Sequence, residues 1–181
     1  VGSVTRFSPI KDPLNLVEAF IQLRASDAGR NLRLVMVGDG ELRSEAIARL
    51  EAAGVAGDAW LPGSRDDIPK LLRGFDLFVL GSQREGISNT VLEAMATGLP
   101  VVATATGGNL ELVLPDETGM VVPPGDRDSL AAAIKAYMTN TSLARAHGVN
   151  ARKRAVSQFS LDGMIENYLS LYETCIAAAK L

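Results

Sequence analysis

Cysteine is nearly absent from this sequence. Cys175 stands alone, so no internal disulfide framework is possible, and a single thiol fits a reducing compartment such as the cytoplasm. Histidine is as scarce: His147 has no second imidazole to join, and it makes no nucleophile triad with Cys175. No cluster with metal-ligand spacing appears, so no metal is expected. There is no excess of one charge. The net charge of −3 implies no general affinity for nucleic acid. No apolar run approaches the length of a membrane span, and no signal peptide opens the chain. Repeats and low-complexity linkers are missing as well. What remains is a globular composition, 47% hydrophobic and 22% charged, over 181 residues: one domain, 1–181, with a sizeable core. Val1 opens directly on a strand-like segment, which suggests a piece of something longer.

The stretch from Phe75 to Thr104 organises the rest. Residues 75–80 are a short apolar run ended by Gly81, a buried strand by pattern. Thr90 to Thr97 has helical spacing, with Val91, Leu92 and Met95 on one face. Gly98 closes that helix and Pro100 forbids its continuation. Residues 99–103 form a second strand. The loop Ser82 to Asn89 therefore sits at the carboxyl end of a strand, where open α/β sheets bind ligands. The following helix N-terminus favours anions. Glu85 and Glu93 frame the loop. Carboxylates repel phosphate but accept hydrogen bonds from hydroxyls, so they suit a sugar.

The same alternation runs along the chain. Strands are expected at 1–7, 32–37, 59–61 and 119–122, with Pro62-Gly63 as a turn. Helices are expected at 13–25 (capped by Asp12), 41–53, 66–73, 109–114, 126–138 and 142–159. Ser160 should cap a last one running through Leu181. Such alternation predicts an α/β fold: a doubly wound parallel sheet with helices on both faces and extra C-terminal helices. Arg6 and Lys11 flank the end of the first strand. They read either as surface cations or as a fork and a point charge for a diphosphate. Gly38-Asp39-Gly40 lacks the third glycine of a dinucleotide fingerprint and reads as a tight turn. Arg145, Arg152, Lys153 and Arg154 form a solvated helix face or, less favoured, a contact for anionic lipid. His147 is expected on a polar, exposed face.

The segment EGISNTVLEAMATGLPVVAT closely resembles the E-x7-E signature of group 1, family 4 retaining glycosyltransferases with the GT-B fold. The Gly107-Gly108-Asn109 and Pro123-Pro124-Gly125-Asp126 segments extend the likeness, which covers nearly the whole chain. The resemblance implies the C-terminal, donor-binding, Rossmann-like domain, with the N-terminal acceptor domain absent. It implies a nucleoside-diphosphate sugar as donor substrate, no further cofactor, and a glycan or lipid-linked acceptor, in a protein of the cytoplasm or the inner membrane face. By the same resemblance Arg6 and Lys11 hold the diphosphate, Glu85 faces the donor sugar, and Glu93 holds the ribose. Gly86, Ile87, Ser88, Asn89 and Thr90 are the remaining donor contacts, with Gly107-Gly108 shaping the loop beside the sugar. The sequence departs from the pattern at Thr5, usually Gly, and at Ile87-Ser88, usually Phe-Gly. Glu93 also has a purely structural reading, because Thr90-Val91-Leu92-Glu93 fits a capping box. A nucleotide-sugar epimerase of the same architecture and a non-catalytic nucleotide-binding module are the alternatives.

Overall fold

A computed structural model describes residues 1–178. Six parallel strands form the sheet: β1 (Gly2–Val4), β2 (Leu34–Val37), β3 (Ala59–Gly63), β4 (Phe78–Leu80), β5 (Val101–Thr104) and β6 (Gly119–Val122). Their spatial order is β3-β2-β1-β4-β5-β6. The chain starts in the middle, walks to one edge, returns beside β1 and walks to the other edge. The reversal between β1 and β4 leaves a crevice at the strands' carboxyl ends.

Burial on both faces explains the apolar strands. Successive side chains of a strand point to opposite faces. Val79 therefore joins one core with Phe7, Leu16, Phe20 and Met36. Its neighbours Phe78 and Leu80 join the other, with Val91, Met95 and Leu112. The first core is covered by helices α1 (Pro13–Arg24), α2 (Arg43–Ala52) and α6 (Arg127–Thr139). The second is covered by α3 (Ile68–Leu72), α4 (Asn89–Thr97), α5 (Asn109–Leu112) and α7 (Thr141–Gln158). Each large side chain taken fully from water contributes about 1.5–3 kcal/mol. The last helix, α8 (Leu161–Ala178), buries none of its residues and leaves Leu161, Leu169 and Tyr172 exposed. Positions 179–181 of the expected last helix lie outside the described residues.

Several expectations change. Pro62 and Gly63 belong to β3 and form no turn. β3 is an edge strand, where a missing N–H is tolerated, and its register against β2 shifts between Val35 and Val37. Asp12 precedes α1 in a left-handed conformation (φ 45°) with no side-chain capping bond. Its carboxylate instead accepts from Gln83 Nε2 at 2.5 Å. The capping box that was the alternative reading of Glu93 is not formed. Ser88 is the N-cap of α4 and its Oγ accepts from Val91 N–H at 3.4 Å, which places Glu93 beyond the N3 position. His147 is buried, 3% exposed, with Nδ1 at 2.7 Å from the Tyr137 hydroxyl. Arg152 and Arg154 are not free in solvent. Arg152 donates to Ala96 O near the end of α4, and Arg154 donates to Glu111 O and Leu112 O at the end of α5 (2.7 and 3.1 Å). These are the carbonyls a helix leaves without partners.

Candidate functional site

Side chains and backbone from both sides of the β1/β4 crevice line a cleft of about 510 Å³. The loop after β1 turns through a short 3₁₀ segment, Pro9–Lys11, and brings Arg6 and Lys11 to the cleft. The loop after β4 brings Glu85, Ile87 and Ser88, and α4 begins there with Asn89 and Thr90. The first N–H groups of a helix have no intrahelical acceptor. Ser88 Oγ takes that of Val91 and also lies 3.2 Å from Thr90 Oγ1.

The two loops are stitched together. Gln83 N–H donates to Ile10 O at 2.8 Å, and the Asp12–Gln83 side-chain bond reinforces it. Lys11 Nζ lies 2.7 Å from both Glu85 oxygens, and Ser82 Oγ donates to Oε1 at 2.7 Å. The Glu85 side chain is only 6% exposed, against 29% for Lys11. The backbone of Glu85 is fixed from behind. Gly107 (φ 47°) lies so close that a Cβ there would meet Glu85 O at 1.7 Å, and Gly108 N–H donates to Gly86 O at 2.7 Å. Only glycine permits both that contact and that φ. The Gly107-Gly108 pair thus shapes the loop that carries Glu85.

Arg6 is exposed and its guanidinium has no hydrogen-bond or ion-pair partner among the described residues. Glu93 is exposed on α4, and Glu93 and Gly86 are outside the cleft's lining. Asp39 lines the far side: its carboxylate accepts from Gly40 N–H at 2.8 Å, a turn role. A Cβ at Gly38 would meet Thr5 O at 1.9 Å, so the loop after β2 rests directly on the loop after β1.

Sequence reasoning missed three polar lining positions. Ser64 and Arg65 follow β3, and Thr5 has a buried Oγ1 with no partner among the described residues. The signal for the first two was available: a loop at a strand's carboxyl end. Ending that strand at Leu61 hid it. Arg65 Nε and Nη2 pair with the two Asp67 oxygens at 2.9 and 2.8 Å. The Arg65 guanidinium holds the Asp67 carboxyl below the usual range. No group of three or more His, Cys, Asp or Glu side chains arranged to hold a metal occurs among the described residues. No helix among them is long and apolar enough to cross a membrane.

Comparison with known proteins adds names to this geometry. The family model described as glycosyl transferases group 1 matches residues 1–154. A Rhizobium meliloti (strain 1021) protein named lipopolysaccharide core biosynthesis glycosyltransferase LpsE is 32% identical, with 94% of this chain aligned to 48% of that protein. An Escherichia coli protein named UDP-Gal:alpha-D-GlcNAc-diphosphoundecaprenol alpha-1,3-galactosyltransferase is 31% identical, with 93% of this chain aligned to 44% of that protein. The crystal structure of Anabaena HepE in complex with UDP superimposes with a TM-score of 0.88 at 26% identity, covering 96% of this chain and 48% of that one. A second HepE structure, in complex with UDP-glucose, gives 0.87. The chain thus spans about half the length of these relatives.

Proposed function

This chain belongs to the glycosyl transferases group 1 family, and from that membership we propose that it is the donor-binding half of a GT-B transferase. The whole protein moves a sugar from a nucleoside-diphosphate sugar to an acceptor in lipopolysaccharide or other glycan synthesis, with retention at the anomeric carbon. The observation that carries this reading is the cleft at the β1/β4 reversal. There Arg6, Lys11, the N-terminus of α4 and Glu85 converge. The HepE structures, which hold UDP and UDP-glucose, superimpose on the same fold.

In this proposal Arg6, Lys11 and the N-terminus of α4 face the diphosphate. As the bond to the sugar breaks, negative charge grows on the leaving phosphate, and cations and N–H dipoles already in place lower the cost of that charge. Arg6 acts as a fork and Lys11 as a mobile point charge. Glu85 accepts hydrogen bonds from sugar hydroxyls, and Glu93 holds the ribose. Gly86 to Thr90 supply the remaining donor contacts. No side chain is assigned as a nucleophile. The acceptor, a glycan or lipid-linked sugar, is met by the other half of the protein, at the cytoplasmic side of the membrane. The Rhizobium meliloti and Escherichia coli relatives are both named transferases, and nothing in this geometry favours an epimerase.

Calorimetry on the 181-residue chain with nucleoside diphosphates and their sugars tests this reading. Binding of at least one diphosphate, with little or no sugar transfer to any acceptor, is the expected outcome. Robust transfer by this chain alone would overturn the division into halves, and binding of none would overturn the donor site.

A further inference from the structure

We propose that Glu85 lets the cleft tell a sugar-bearing donor from a spent diphosphate, because it holds Lys11 against any ligand that cannot satisfy its carboxylate. The inference rests on the donor-site reading above and gives Glu85 a role on the diphosphate as well as on the sugar.

Both oxygens of Glu85 are within 2.7 Å of Lys11 Nζ, and Ser82 Oγ holds Oε1. The carboxylate has little freedom to withdraw. Its side chain is 6% exposed, its carbonyl rests on Gly107, and the next residue is fixed by Gly108 N–H. Ser82 is fully buried, and its own carbonyl accepts from Thr104 Oγ1 at 2.6 Å. Lys11 is the movable partner, more exposed and on a flexible four-carbon stem. A diphosphate entering the cleft therefore competes with Glu85 for one ammonium group.

The consequence differs between two ligands. A bare diphosphate that draws Lys11 away leaves a nearly buried carboxylate short of its cation, facing further negative charge. Removing one partner of such a pair is costlier than the pair is worth. A nucleotide sugar also draws Lys11 away, but its hydroxyls are donors, and an ionised carboxylate accepts them. The opposition to binding is then relieved for the donor and retained for the product. After transfer the sugar is gone, the carboxylate is again unsatisfied, and Lys11 returns to it as the diphosphate leaves.

The test measures affinities of wild type and Glu85→Gln by calorimetry for two pairs, UDP with UDP-glucose and GDP with GDP-mannose. Within a pair that the wild type binds, Glu85→Gln should bind the bare diphosphate about tenfold tighter, and the nucleotide sugar no tighter. Adding Lys11→Met should erase that gain, since it acts through Lys11. Melting curves of each variant check that the fold persists, as expected for an isosteric change on a loop. Diphosphate affinity unchanged or lowered by Glu85→Gln overturns the proposal while leaving the donor site intact. So does an equal gain for both members of a pair, which would be charge removal without discrimination. Wild type that binds neither of these pairs nor any other nucleoside diphosphate overturns the donor reading and this inference with it.

Discussion

Arg6 and Lys11 share one loop, yet their surroundings differ. The Arg6 guanidinium reaches solvent with no partner among the described residues, whereas Lys11 is held by Glu85. Replacing either by Ala should weaken nucleoside-diphosphate binding by about 1–3 kcal/mol, the range for a lost charge-assisted contact. The nucleoside without phosphates should lose far less, and calorimetry reads both. Lys11→Ala should also lower the melting temperature more than Arg6→Ala, because it strands the Glu85 carboxylate. Glu93 is a sharper case. With Ser88 as the N-cap, the capping-box role is gone, so Glu93→Gln should leave thermal stability close to wild type. If Glu93 holds the ribose, donor affinity should fall, and a 2′-deoxy donor should lose less on the variant than on wild type. Additive losses would remove Glu93 from the ribose.

Among the helices, α7 packs closely on the C-terminal end of α4, the end away from the cleft. A Cβ at Gly148 in α7 would come 2.3 Å from Gly98 O, the left-handed C-cap of α4 (φ 89°). Gly148→Ala must push the two helices apart, and overpacking of this kind costs about 1–3 kcal/mol. Urea unfolding should show that loss as a lower midpoint. Because α4 carries the cleft's helix N-terminus, donor affinity should fall as well; an unchanged midpoint would show that the joint yields freely. The sequence made α4 visible through Gly98 and Pro100. It did not show that Gly148 lets α7 approach, because that glycine is needed only where another element's carbonyl arrives. His147 was misread for the same reason. The helix α7 is polar taken as a whole, but the positions a turn away from His147 include Leu143, Ala144 and Ala151, and Tyr137 of α6 covers the imidazole with a hydrogen bond and an edge-on ring.

Over the whole molecule, that buried pair sets a response to pH. Burial pushes the Tyr137 phenol well above its usual value, with Asp116 adding to the effect. The folded state therefore favours the neutral phenol. Its contribution is fully present below the unfolded pKa of about 10 and is lost as pH rises from there towards the folded value. Melting temperature should fall more steeply with pH above about 10 in wild type than in Tyr137→Phe. Parallel curves would show that the tyrosine is not linked to alkaline unfolding.

The sequence by itself determined the α/β alternation, the strand cores and the loop that bears Glu85. Each is written in local patterns: apolar runs buried on both faces, glycine and proline at helix ends, and a signature within one contiguous segment. The strand ends were less legible, because residues 1–7 read as one strand although only Gly2–Val4 pairs in the sheet. The tertiary structure alone decided who meets whom. It brought Lys11 to Glu85 and Asp12 to Gln83, gave the α4 cap to Ser88, and added Ser64 and Arg65 to the cleft. Such pairings join residues distant in sequence, and the strand order that places β1 beside β4 is what makes them neighbours.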